Sequence, residues 1–187
     1  ALGLALADAG MRVAVVDAAP ARARASDNFD GRAYALALSS VHLLRGIGLW
    51  QGLAPTAQPI TRVIARQGRG EDISPLGLFF DSAEIEEGVL GQMLEDRFLY
   101  RALIAAMPEL VTHIPETLVT GQAADAGGIT VALSDGRSLR ARLLVGADGR
   151  RSGVAERAGI TRTGWDYGQT ALVAALAPAA AHAACRL

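Results

Sequence analysis

Leu143-Leu144-Val145-Gly146-Ala147-Asp148-Gly149-Arg150-Arg151-Ser152 is the stretch on which the fold turns. Three aliphatic residues in a row predict a buried strand, because a strand covered on both faces has no reason to alternate. Gly146 and Gly149 flank an acid and let the backbone approach a ligand closely. Ser152 is suited to cap a short helix near Gly153–Ala158. The Asp148 carboxylate can accept hydrogen bonds from the hydroxyls of a bound nucleotide. Asp-Gly alone signals only a tight turn; a strand before it and a helix after it favour the nucleotide.

The front of the chain points the same way. Residues 1–9 are small and apolar nearly all round, as in a helix packed closely on a sheet. Gly10 is a helix stop. Arg12–Val16 is a Val-rich strand without alternation, and it ends at Asp17. Helix, glycine, strand and terminal acid form the second half of a dinucleotide-binding βαβ unit. There the pyrophosphate rests on the helix N-terminus and the acid binds the adenosine ribose. The glycine-rich turn and first strand of such a unit would precede Ala1. Many α/β folds share this order, and a solvated strand-end carboxylate is the competing account of Asp17.

Between these ends the spacing predicts a loop over Ala18–Arg32 and a helix over Leu36–Arg45. Pro55 and Pro59 mark a crossing to strands at Thr61–Arg66 and Gly77–Asp81, separated by a Gly68–Ser74 loop. Leu94–Met107 returns to helical spacing, with Leu99, Ala102, Leu103 and Ala106 on one stripe opposite Glu95, Arg97 and Arg101; Pro108 ends it. Strands follow at Glu116–Ala123, Ile129–Leu133 and Ser138–Val145, the last two joined at Ser134–Arg137. Gln169–Leu176 is a final strand candidate. The fold class is α/β, with segments passing from buried α/β to antiparallel β and back.

Composition narrows the function classes. The 187 residues are 51% hydrophobic and 20% charged, with a formal net charge of −1, so no basic surface suggests nucleic acid. No apolar run approaches the roughly 20 residues of a membrane span, and no secretory leader is evident. Cys185 is the single cysteine. His42, His113 and His182 lack zinc-ligand spacing, so no metal is expected. The cytoplasm is the default compartment. His42 suits a structural role, His113 precedes a strand and has no paired carboxylate or nucleophile in sequence, and Trp50 and Trp165 suit packing. No Ser/His/Asp or Cys/His set can be assembled, and the catalytic residues stay unknown.

The Gly-Ala-Asp-Gly turn resembles the Asp-Gly motif of the group A flavoprotein hydroxylases, which have the para-hydroxybenzoate hydroxylase fold. Three further stretches are similar to that family: Asp30-Gly31-Arg32-Ala33-Tyr34-Ala35-Leu36 with Ser39-Ser40, Glu95-Asp96-Arg97-Phe98-Leu99, and Thr163-Gly164-Trp165-Asp166-Tyr167-Gly168-Gln169-Thr170. The last resembles the entry to the substrate domain of the ubiquinone-biosynthesis hydroxylases and is the most subfamily-specific. The resemblance implies an incomplete Rossmann-like FAD-binding domain interleaved with part of a β-sheet substrate domain. The expected division is 1–58 and 92–162 for the FAD-binding parts, with 59–91 and 163–187 for the substrate-domain parts.

Carried over by residue, the resemblance has Asp17 hold the adenosine ribose and Arg32 neutralise phosphate or ribityl oxygens with its planar fork. Asp148 and Gly149 shape the nucleotide pocket. Position 96 departs from the amide or basic residue expected there, since an aspartate beside a pyrophosphate is repelled. Either Arg97 takes the contact, or Asp96 faces a hydroxyl, or it simply favours the helix N-terminus.

The family chemistry implied is oxygen transfer from dioxygen to a polyprenylated phenol, with NAD(P)H reducing FAD. Peripheral membrane contact and other ubiquinone-synthesis proteins as partners come with it. Two other classes remain: a related non-hydroxylating flavoenzyme such as a prenyl reductase, and a non-catalytic scaffold subunit. The glycine loop and a second Gly-Asp motif do not fall within residues 1–187, so these residues alone are expected to bind FAD weakly or not at all.

Overall fold

The computed structural model describes residues 1–21, 29–69, 72–86 and 88–171. Helix α1 (Leu2–Asp8) buries Leu4 and lies close on strand β1 (Ala14–Val16). Gly3 permits that approach: a Cβ there would stand 3.0 Å from Val15 Cγ2. The helix ends as expected at Gly10, which adopts φ 80°. Its N–H donates to the Ala7 carbonyl and that of Met11 to Leu6, closing the last turn with a residue free of Cβ strain.

β1 pairs in parallel with β7 (Thr112–Ile114), a strand absent from the sequence-based expectation. Three residues are too short to carry a periodic signal. The ladder continues past β1, where the Asp17 N–H donates to the Ile114 carbonyl and the Thr117 N–H to the Asp17 carbonyl.

A second sheet has the order β2 (Ala33–Ala37), β6 (Gly91–Glu95), β3 (Gln58–Ile60), all antiparallel. None of the three was anticipated. β2 runs straight into helix α2 (Leu38–Gly46), and β6 into helix α4 (Asp96–Leu110), with no intervening loop. The expected helices from Leu36 and Leu94 therefore begin two residues late. Aliphatic residues fit both periods, and strand pairing settles them. α4 also runs past Pro108 to Leu110. Helix α3 (Trp50–Leu53) completes this part. Val41, Leu44, Trp50, Leu53 and Leu94 form its core, against which Phe98, Leu99 and Ala102 of α4 pack.

Strands β4 (Arg62–Arg69) and β5 (Asp72–Asp81) make a two-stranded antiparallel ladder, longer than the strands expected there. A three-stranded antiparallel sheet, β8 (Val119–Asp125), β9 (Gly128–Leu133) and β10 (Ser138–Ala141), follows. Ile114, Val131 and Leu133 form a second core, joined by Val16 and Leu144.

The expected strand Ser138–Val145 stops at Ala141. Leu144 packs on the second core, but Leu143 is 75% exposed and Val145 49%. A continuous aliphatic run implies two-sided burial only where a second element covers it, and no described strand pairs with 143–145. Helix α5 (Gly153–Arg157) is the last regular element among the described residues. The strand expected at Gln169–Leu176 lies, from residue 172 on, outside the described residues. No helix among the described residues is long and apolar enough to cross a membrane.

Candidate functional site

The β2–β6 register builds the site. Ala33 pairs with Glu95 and Tyr34 with Leu94, and the Asp96 N–H donates to the Arg32 carbonyl at 3.0 Å. Arg32 is thereby brought against the first residue of α4, 64 positions away in sequence. Its guanidinium donates from Nε to Asp30 Oδ2 at 2.8 Å and pairs with that carboxylate through Nη2 as well. The same Nη2 lies 4.0 Å from Asp96 Oδ2. The hydrogen bond from Arg32 and its charge hold the exposed Asp30 carboxyl below its ordinary range, and the pairing raises Arg32.

Asp96 is 5% exposed. A carboxylate removed from water needs compensation, and three sources supply it here. The Tyr34 hydroxyl donates to Oδ1 at 2.6 Å, the Arg32 charge stands beside Oδ2, and the residue occupies the first turn of a 15-residue helix. The strand-end acid meets the same helix one turn on. Tyr100 Oη donates to Asp17 Oδ2 at 3.5 Å, while the Ala19 N–H donates to Oδ1 at 2.9 Å. Arg97 turns elsewhere: Nε donates to Glu95 at 2.6 Å, and the guanidinium lies over the rings of Phe98 and Phe29.

Four of the six nominated residues, Asp17, Arg32, Asp96 and Arg97, thus surround the N-terminal half of α4. Asp148 and Gly149 belong to a separate turn. Both Asp148 oxygens engage α5: Oδ1 accepts from the Ser152 hydroxyl and Oδ2 from the Val154 N–H at 3.1 Å. Ser152, 8% exposed, caps α5 by accepting from the Ala155 N–H at 3.0 Å. The Ser152 hydroxyl foremost, and the Val154 amide with it, lower the Asp148 pKa. Gly149 has φ 82°, a conformation costly to any side chain.

Sequence reasoning missed Tyr34 and Tyr100 as members of this cluster. The signal was present in the spacing. Tyr34 is two residues from Arg32, which immediately precedes its strand, and Tyr100 is four residues from Asp96 on one helix.

A parallel strand pair under helices, an acid at the strand end and an exposed arginine beside the β6–α4 junction are the features of a nucleotide-cofactor domain of the α/β class. Solved structures share the fold. A PqsL mutant from Pseudomonas aeruginosa superposes with a TM-score of 0.69 at 23% identity, over 87% of this chain and 43% of that one. p-Nitrophenol 4-monooxygenase PnpA from Pseudomonas putida does so with 0.66 at 22%, over 84% and 40%. The family described as FAD binding domain matches residues 1–184, and the chain belongs to it. Among curated relatives, the ubiquinone hydroxylase UbiL of Rhodospirillum rubrum is 39% identical over 98% of this chain and 42% of its own length. The 3-demethoxyubiquinol 3-hydroxylase of Escherichia coli is 33% identical over 92% and 44%. The chain spans less than half the length of these relatives.

The donor set fits FAD. A dinucleotide offers anionic oxygens that suit an exposed guanidinium such as that of Arg32, and ribose hydroxyls that suit a strand-end carboxylate such as that of Asp17.

Proposed function

We propose that this chain forms the cofactor-binding first part of an FAD-dependent monooxygenase that consumes NAD(P)H and hydroxylates a polyprenylated phenol in ubiquinone biosynthesis. The observation that carries the proposal is the convergence of Arg32 and Asp17 on one face of α4, through Asp96 and Tyr100 one turn apart. The two ubiquinone-pathway relatives support the substrate class. When bound, FAD supplies reduction by NAD(P)H and activation of dioxygen.

The chain's own residues would bind and orient that group. Arg32 exchanges its exposed partner Asp30 for a phosphate or ribityl oxygen. Asp17, its Oδ1 bonded to the Ala19 amide and its Oδ2 met at 3.5 Å by the Tyr100 hydroxyl, offers the remaining acceptor capacity of Oδ2 to ribose hydroxyls. Asp148 shapes the second turn indirectly, by tying it to α5. Residues 1–58 and 92–162 belong to this cofactor part, and 59–91 with 163–187 to a substrate part. Any membrane contact of the enzyme is peripheral.

The complete gene product should purify with FAD in about one-to-one amount, to judge from a dedicated site of this kind. It should consume NADPH or NADH in a dioxygen-dependent reaction that a prenylated phenol accelerates. A protein free of flavin and unable to take it up would overturn the proposal. Flavin without phenol-stimulated oxygen uptake would leave the non-hydroxylating flavoenzyme as the better account.

A further inference from the structure

Asp96 is the most buried charged residue described, and it stands where an anionic cofactor would be repelled by it. Its surroundings explain its presence. Asp30, the other carboxylate on Arg32, accepts the hydrogen bonds from Nε and Nη2, but it is an exposed side chain two residues away on the same segment, where water and a ligand anion can compete for both. Asp96 is fixed: it sits in the first turn of α4, buried, with its Oδ1 bonded to the Tyr34 hydroxyl. Its Oδ2 faces Arg32 Nη2 from the protein side. Arg32 immediately precedes β2 and Tyr34 follows two residues later within it; the Tyr34 hydroxyl is hydrogen-bonded to the Asp96 carboxylate, which stands in ion-pair contact with the Arg32 guanidinium at 4.0 Å.

We infer that Asp96 is a positioning residue that, braced by Tyr34, aims the Arg32 guanidinium at the cofactor's phosphate or ribityl oxygens. The inference rests on the proposed FAD site. An arginine has several rotatable bonds and loses affinity when it must be ordered at binding; a fixed counter-charge orders it beforehand. Two outcomes of opposite sign follow. If Asp96 aims Arg32, removing its charge weakens FAD. If Asp96 is only a nearby negative charge, removing it tightens FAD.

The experiment measures FAD affinity by flavin fluorescence in the complete gene product, carrying Asp96→Asn, Arg32→Lys and both. Asn keeps the size of the side chain and an acceptor for Tyr34. Asp96→Asn should weaken FAD about tenfold in the native background and less than about twofold beside Arg32→Lys, a coupling expected only of residues that act together. Tyr34→Phe, at an exposed position, should weaken it about tenfold without loss of fold, since the hydroxyl's bond to the Asp96 carboxylate is charge-assisted. Tighter or unchanged binding in Asp96→Asn, or an equal loss in both backgrounds, overturns the inference while leaving the FAD site standing. A native protein that binds no FAD overturns both.

Discussion

Leu94 is 1% exposed and lies at the centre of the first core, enclosed by Val41, Leu44, Trp50 and Leu53. Leu94→Ala removes three carbons from a site walled by α2 and α3, with α4 packed against it. Strand β6 is hydrogen-bonded on both edges, so those walls cannot close inward. Core Leu→Ala changes cost about 2–5 kcal/mol, with the larger values where collapse is blocked, so a loss of about 3–4 kcal/mol is expected. For a protein of this size that lowers Tm by roughly 6–15 °C. Urea unfolding followed by circular dichroism should show a lower midpoint with an unchanged slope. Leu94→Met, which conserves volume, should cost under about 1.5 kcal/mol. The reasoning fails if Leu94→Ala costs less than about 1 kcal/mol, or if Met is as damaging as Ala. Asp96 begins two residues later, so FAD affinity should fall with stability in the alanine variant and recover with methionine.

Gly91 tests the same sheet from its other end. A Cβ there would stand 2.6 Å from the Leu36 carbonyl oxygen, a backbone atom that cannot swing away, so Gly91→Ala should cost about 1–3 kcal/mol by urea unfolding; no cost would mean that β2 and β6 do not pair in this register. Ser152→Ala removes the cap of α5 and should lower stability by about 1 kcal/mol, whereas a neutral result would deny the cap. Asp148 has a lowered folded pKa, so the stability it contributes is fully present above its unfolded value near 3.9 and is lost as pH falls through the lower folded one. Asp148→Asn should therefore flatten the decline of the urea midpoint below about pH 4, and an unaltered acid limb would show that the carboxylate is unbound. Asp30→Asn frees Nε and Nη2 of Arg32 while keeping an acceptor for the Arg32 amide; FAD should bind more tightly, and weaker binding would mean that Asp30 helps rather than competes.

The α1–Gly10–β1 unit is legible in the sequence because each signal in it is local. A small-residue helix, a glycine in the left-handed region and a valine run need no distant partner to be read. The acid at the strand end, the arginine of the Asp30–Leu36 stretch and the Asp-Gly turn were legible for the same reason. Element type failed where pairing overrides periodicity. Leu36 and Leu94 suit a helix or a strand equally, and hydrogen bonds from residues some 60 positions away hold both in strands. β7 is three residues long and exists only because β1 lies beside it. At Leu143–Val145 the failure ran the other way: hydrophobicity is a property of the sequence, but burial depends on a neighbour, and Leu144 alone has one.

By itself, the sequence determined the class of the protein and supplied the residue types proposed for its cofactor site: an acid, an arginine and flexible turns in a set order. Only the tertiary structure decided what those residues do to one another. Asp96 became the buried partner of Arg32 rather than a free contact, and Asp148 became a brace for α5. Tyr34 and Tyr100 joined a site that no motif assigned them. The physical reason is that a hydrogen bond or ion pair depends on distance in space, and strand register and helix placement set that distance after the local signals have been used up.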